Sequence, residues 1–154
     1  MATYEILIVD DDPVISQIAQ RILEKKGYAV RVAMDARKGL ALALSYPPNL
    51  IVLDYMMPQK DGLTLLADIR ALPELKDVPV IMMTGTGEQD VVTRAIQLGV
   101  TDFMVKPFYP PRLLERVQKH LPPPDASARD DEARNDAGNN LPLSGTAPGS
   151  LPEI

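Results

Sequence analysis

Five short apolar runs punctuate the first 121 residues: Ile6-Leu7-Ile8-Val9, Ala29-Val30-Arg31-Val32, Leu50-Ile51-Val52-Leu53, Val80-Ile81-Met82-Met83 and Phe103-Met104-Val105. Four of the five are apolar at almost every position, the pattern of strands in a parallel sheet covered on both faces. Between them the period changes. Val14, Ile15, Ile18, Ala19, Ile22 and Leu23 recur as one face of a helix that Gly27 terminates. Ala36 to Ser45 ends before Pro47-Pro48, Leu63 to Ala71 precedes Pro73, and Gln89 to Leu98 stops at Gly99. A last helix begins at Pro110 or Pro111, carries Leu113, Leu114, Val117 and Leu121 on one side, and ends at Pro122-Pro123-Pro124. This is β-α repeated five times, which predicts an α/β fold with a doubly wound, five-stranded parallel sheet and right-handed crossovers. In such a sheet the functional crevice lies beyond the C-terminal strand ends.

Residues 122–154 depart from this pattern. They hold six prolines and three glycines among Ala, Asn, Asp and Ser, with Leu141, Leu143, Leu151 and Ile154 sparse and aperiodic. We expect two parts: a domain over 1–121 and a flexible acidic tail or linker over 122–154. Of the net charge of −5, six acids and two bases place −4 in the tail and leave −1 for the domain. That charge excludes the basic footprint of a nucleic-acid binder. No cysteine is present, so disulfides and thiolate metal sites are excluded. No apolar run approaches a membrane span and the N-terminus has no signal-peptide pattern, so a cytoplasmic location is expected.

Four strand ends each deliver a polar group: Asp10-Asp11-Asp12, Asp54, Thr84 and Lys106. Parallel strands bring these ends to one edge. Clustered carboxylates repel one another and raise their neighbours' proton affinity. A hard divalent cation relieves that strain, and Mg²⁺ prefers oxygen ligands combined with phosphate. A lysine and a hydroxyl beside such a cluster suit phosphoryl chemistry, with one carboxylate left as nucleophile. Asp54, alone on the central strand, is the natural choice. Taken singly, each residue has a plainer reading: Asp12, before Pro13, as a helix N-cap, Lys106 as a solvated lysine, and Thr84 as a turn residue.

The segments Ile6-Leu7-Ile8-Val9-Asp10-Asp11-Asp12-Pro13, Leu53-Asp54-Tyr55-Met56-Met57-Pro58 with Asp61-Gly62, Met83-Thr84-Gly85, and Asp102-Phe103-Met104-Val105-Lys106-Pro107-Phe108 resemble the receiver domain of bacterial two-component response regulators. The resemblance covers residues 4–121 and implies a flavodoxin-like (βα)5 fold, like that of CheY. It implies that Asp54 is the phosphoacceptor, that Asp11 ligates Mg²⁺ with help from Asp10, and that Asp54 and the Met56 carbonyl complete the protein ligands. Lys106 would pair with the phosphoryl group, and its bond to Pro107 would be cis. Thr84 and Phe103 would act as switch residues, Phe103 standing where many relatives carry Tyr. The donor would be a sensor histidine kinase or histidine phosphotransfer protein, docking on the first helix near Val14, Ile15 and Ile18. The output would be a changed surface on the fourth helix, fifth strand and fifth helix, read by a downstream protein or by an effector domain outside this chain. The domain would be a monomer or a phosphorylation-dependent homodimer. It would be no enzyme beyond its own phosphorylation and dephosphorylation. Met56 and Thr86 are expected at the pocket mouth; a thioether cannot position water, so a long-lived phosphate is expected. His120 is expected to be a surface residue.

Two other readings remain at this stage. Asp10-Asp11-Asp12-Pro13-Val14 also fits the first motif of haloacid-dehalogenase-type phosphatases, which would make Asp10 the nucleophile. That family needs a further acidic motif after its lysine, and Asp54 would then have no role. The other reading is a receiver fold used only for binding.

Overall fold

A computed structural model describes residues 3–85 and 89–122. Five strands and five helices alternate: β1 (Glu5–Val9), α1 (Pro13–Glu24), β2 (Ala29–Ala33), α2 (Ala36–Ser45), β3 (Leu50–Asp54), α3 (Gly62–Ala71), β4 (Val80–Thr84), α4 (Gln89–Gln97), β5 (Asp102–Val105) and α5 (Pro110–His120). All strand pairs are parallel, in the order β2-β1-β3-β4-β5. The expected doubly wound sheet is therefore present, with β3 at its centre. The tail expected from residue 122 lies outside the described residues, apart from Pro122 itself, as does Thr86.

Side chains alternate across the sheet and divide the core in two. Leu7, Val9, Ile51, Leu53, Val80 and Met82 pack on the side of α2, α3 and α4. Ile6, Ile8, Leu50, Val52, Ile81 and Met83 pack on the side of α1 and α5, with Leu113, Val117 and Leu121. β1, β3 and β4 lie inside the sheet and are buried almost throughout, which is why they read as continuous apolar runs. β2 is an edge strand and only partly buried. Its one charged residue, Arg31, pairs with Glu5 at 3.0 Å, donates to the carbonyls of Leu42 and Tyr46, and lies over the Tyr46 ring.

Helix starts follow their caps. Asp12, Asp35 and Asp61 accept main-chain N–H groups at the starts of α1, α2 and α3. Gly27 and Gly99, just past α1 and α4, adopt φ of 97° and 88°, conformations that suit glycine. The apolar stripe of α1 divides between core and surface. Ala19 and Leu23 are buried with Ser16, while Val14 and Ile18 are exposed.

Candidate functional site

The C-terminal ends of β1, β3, β4 and β5 bring Asp10, Asp54, Thr84 and Lys106 to one edge, at the point where neighbouring strands β1 and β3 lead to opposite faces of the sheet. Asp10 follows β1 directly and is fully buried. Its main-chain N–H donates to Ala33 and its Oδ1 accepts the Asp12 N–H at 2.9 Å. Ser16, one turn into α1, donates its hydroxyl to the Asp10 carbonyl at 3.3 Å. Asp10 is thus fixed from three directions before any ligand arrives. Asp11 is exposed. Asp12 caps α1 through Val14 and Ile15, so its plainer reading is the one realised.

Asp54 is the last residue of β3 and is 2% exposed. Lys106 Nζ stands 3.2 Å from Asp54 Oδ1 and 3.2 Å from Asp10 Oδ2, bridging the two buried carboxylates. Its bond to Pro107 is cis, as the resemblance implies. Asp10 Oδ2 has this ionic contact but no hydrogen bond of its own. Thr84 is buried at the end of β4, and its hydroxyl has no partner among the described residues. Phe103, on β5, is partly buried against the core on the α3–α4 side.

The electrostatics follow from burial and charge. Burial pushes the Asp54 carboxyl up to about 6, and repulsion from Asp10 pushes the same way; Lys106 and the Met56 main-chain N–H oppose them. Burial also works against the Lys106 ammonium, but Asp10 and Asp54 outweigh it and hold its pKa above the ordinary lysine value. Two buried carboxylates with one ammonium between them leave negative charge uncompensated.

One carboxylate oxygen from each of Asp10, Asp11 and Asp54 lies within 4.8 Å of the others. An all-oxygen donor set of three carboxylates, with one ammonium against two of them, fits a hard divalent cation such as Mg²⁺. The loop after β3 completes the surroundings. Met56, two residues after Asp54, is exposed, while Met57 turns into the core. Gly62 donates its N–H to the Tyr55 carbonyl at 2.9 Å. A Cβ at Gly62 would lie 2.6 Å from the Asp54 carbonyl oxygen, so this position holds the start of α3 against the end of β3.

Every sequence-predicted polar site residue thus converges, with Phe103 beside them on β5. Sequence reasoning missed Ser16, the Met56 N–H and the closeness of Gly62. A serine amid the apolar stripe of α1 and a glycine immediately after an N-cap Asp were the available signals. His120 is corrected: it is partly buried, with Nε2 3.0 Å from Asp102 Oδ2. Asp102 Oδ1 takes Arg116 Nη1 at 2.9 Å and the Phe103 N–H at 2.9 Å. One carboxylate at the start of β5 therefore holds two residues one turn apart on α5.

A family model described as the response regulator receiver domain matches residues 6–118. The DNA-binding dual master transcriptional regulator RpaA of Synechocystis is 40% identical over 116 residues, covering 75% of this chain and 48% of that protein. The chain spans about half the length of several curated regulators that it matches. Among solved structures, Vibrio cholerae chemotaxis protein CheY4 superposes with a TM-score of 0.74 at 32% identity, covering 78% of this chain and 100% of that one. The receiver domain of NtrX from Brucella abortus gives a TM-score of 0.70 at 35% identity, covering 75% and 97%.

Proposed function

Because the chain belongs to the response-regulator receiver family of two-component signalling, we propose that Asp54 is its phosphoacceptor and that Asp10, Asp11, Asp54 and the Met56 carbonyl hold Mg²⁺. The observation that carries this is the Lys106 bridge: an ammonium 3.2 Å from both buried carboxylates, at the edge where the four strand ends meet. Above about pH 6 Asp54 is mainly ionised and able to attack. One of its oxygens bonds to the phosphorus of the donor as the donor's P–N bond to imidazole breaks. Lys106 then neutralises an oxygen of the transferred group, and the buried Thr84 hydroxyl donates to another. The bound cation supplies charge neutralisation for the phosphoryl oxygens. The plain output is a population shift: Thr84 follows the phosphoryl group and Phe103 moves into the space behind it.

The donor is a sensor histidine kinase or histidine phosphotransfer protein. A groove of about 300 Å³ beside α1 and the start of α5 supports docking there. Exposed Val14 and Ile18 line it, with Arg21 and Lys25 at its far end and Pro110 opposite. The output surface acts on a downstream protein or on an effector domain, in a monomer or a phosphorylation-dependent dimer. The near-neutral charge of residues 1–121 argues against direct nucleic-acid contact by this domain. No helix among the described residues is long and apolar enough to cross a membrane. The phosphatase reading loses its footing, since it leaves Asp54 without a role at the centre of the site.

The test is intact mass after incubation with Mg²⁺ and acetyl phosphate, for wild type and Asp54→Asn. One phosphoryl group gained by wild type and none by the variant is the expected result. Labelling retained in Asp54→Asn but lost in Asp10→Asn would restore the phosphatase reading. A fully folded wild type that takes no label would make this a binding module.

A further inference from the structure

Met56 is set apart from the other methionines among the described residues. It is 65% exposed, whereas Met57, Met82, Met83 and Met104 are buried and Met34 is 37% exposed. It is also placed where its chemistry matters. Its main-chain N–H donates to the Asp54 carboxylate, two residues back, so the residue that meets solvent is tied directly to the nucleophile. The backbone just before it is held in turn: Tyr55 N–H donates to the Met83 carbonyl and Gly62 N–H to the Tyr55 carbonyl.

From this placement we propose that Met56 is a redox-modification site, at which peroxide oxidation of the thioether shortens the life of the phosphate on Asp54. The proposal rests on the assignment of Asp54 above. The sulfur lone pair attacks a peroxide oxygen; the S–O bond forms as the O–O bond breaks, and water leaves. Sulfur loses two electrons and the peroxide gains them. Susceptibility of methionine follows access, which favours Met56 over every other described methionine. The product is polar where the thioether was apolar. A thioether is a weak acceptor and organises no water over the phosphoryl group; a sulfoxide oxygen is a strong one, two residues after Asp54. Hydrolysis of the acyl phosphate then proceeds through a positioned water, and the domain returns to its resting state faster. Methionine sulfoxide reductases reverse the change with electrons from thiols.

The experiment uses the full chain. Hydrogen peroxide is titrated until one oxygen atom is added on average, and peptide mapping locates it. Oxidised and untreated proteins are then phosphorylated with acetyl phosphate and Mg²⁺, the donor is removed, and loss of the phosphoryl group is followed by intact mass. The first oxygen is expected on Met56, and the lifetime is expected to fall by a factor of about 3 to 10, well short of a full general base. Met56→Leu should have the same lifetime before and after peroxide, Met34→Leu should remain sensitive, and Met56→Gln should be short-lived without peroxide. Oxygen appearing first at Met34, or an unchanged lifetime in protein oxidised at Met56, overturns the inference. If untreated protein never accepts the phosphoryl group, the Asp54 assignment fails and the lifetime effect with it, while the peptide map still decides where peroxide attacks.

Discussion

Replacing the buried Asp54 carboxylate should make the metal-free protein more stable, and by an amount that depends on pH. Asp54 ionises with a pKa raised to about 6 from an ordinary 3.8, chiefly because burial strips its water and Asp10 repels it. A carboxyl that binds its proton more tightly in the folded state weakens the fold when ionised. The penalty is present in full above about pH 6 and fades as the pH falls toward 4. A difference of that size corresponds to about 3 kcal/mol. Asp54→Asn keeps the shape and removes the charge. Lys106 loses one partner but retains Asp10 at 3.2 Å, which trims the gain without reversing it. The expected net stabilisation is about 1–3 kcal/mol at pH 8, shrinking toward zero below about pH 4.5. Urea unfolding of wild type and Asp54→Asn with a chelator present, at several pH values, measures this directly. Added Mg²⁺ should stabilise wild type more than the variant and narrow the gap, because only wild type keeps all three carboxylates. A variant no more stable than wild type at pH 8, or a difference that ignores pH, would refute the reasoning that burial and Asp10 strain this carboxyl.

Three further substitutions probe the frame around the site. Gln59 sits at φ 72° in the loop after β3, so Gln59→Gly should stabilise the domain by about 0.5–1 kcal/mol in denaturant unfolding. Gly62→Ala places a Cβ 2.6 Å from the Asp54 carbonyl oxygen and 2.9 Å from Tyr55 Cα, both backbone; it should cost about 1–3 kcal/mol and slow phosphorylation by acetyl phosphate. Asp102 has its carboxyl held below the ordinary value: burial pushes it up, but His120, the Phe103 N–H and Arg116 together prevail. Asp102→Asn should therefore cost about 1–3 kcal/mol at neutral pH, a cost that is lost as the pH falls below 3.8, and a double-mutant cycle with His120→Ala should show coupling of at least about 0.5 kcal/mol.

What was legible in the sequence, and what was not, separates along one physical line. Strands buried on both faces leave unbroken apolar runs, and parallel pairing brings their ends together regardless of loop detail. Asp10, Asp54, Thr84 and Lys106 could therefore be placed at one edge from spacing alone. Contacts made by helix side chains are different, because they depend on which residues of another element lie opposite. Arg116 and His120, four residues apart, share a face of α5, yet nothing in that spacing says that Asp102 meets them. Arg70 shows the same: the end of α3 was visible, but not that its guanidinium donates to the carbonyls of Gly99, Lys76 and Val78. The stripe of α1 is a related case, since periodicity marks an apolar face and not its partner. Core takes Ala19 and Leu23, and Val14 and Ile18 stay exposed. Apolar positions that a helical pattern assigns to the core and the packing leaves bare are thus informative in themselves. Here they lie on α1, whose N-cap Asp12 adjoins the acidic cluster.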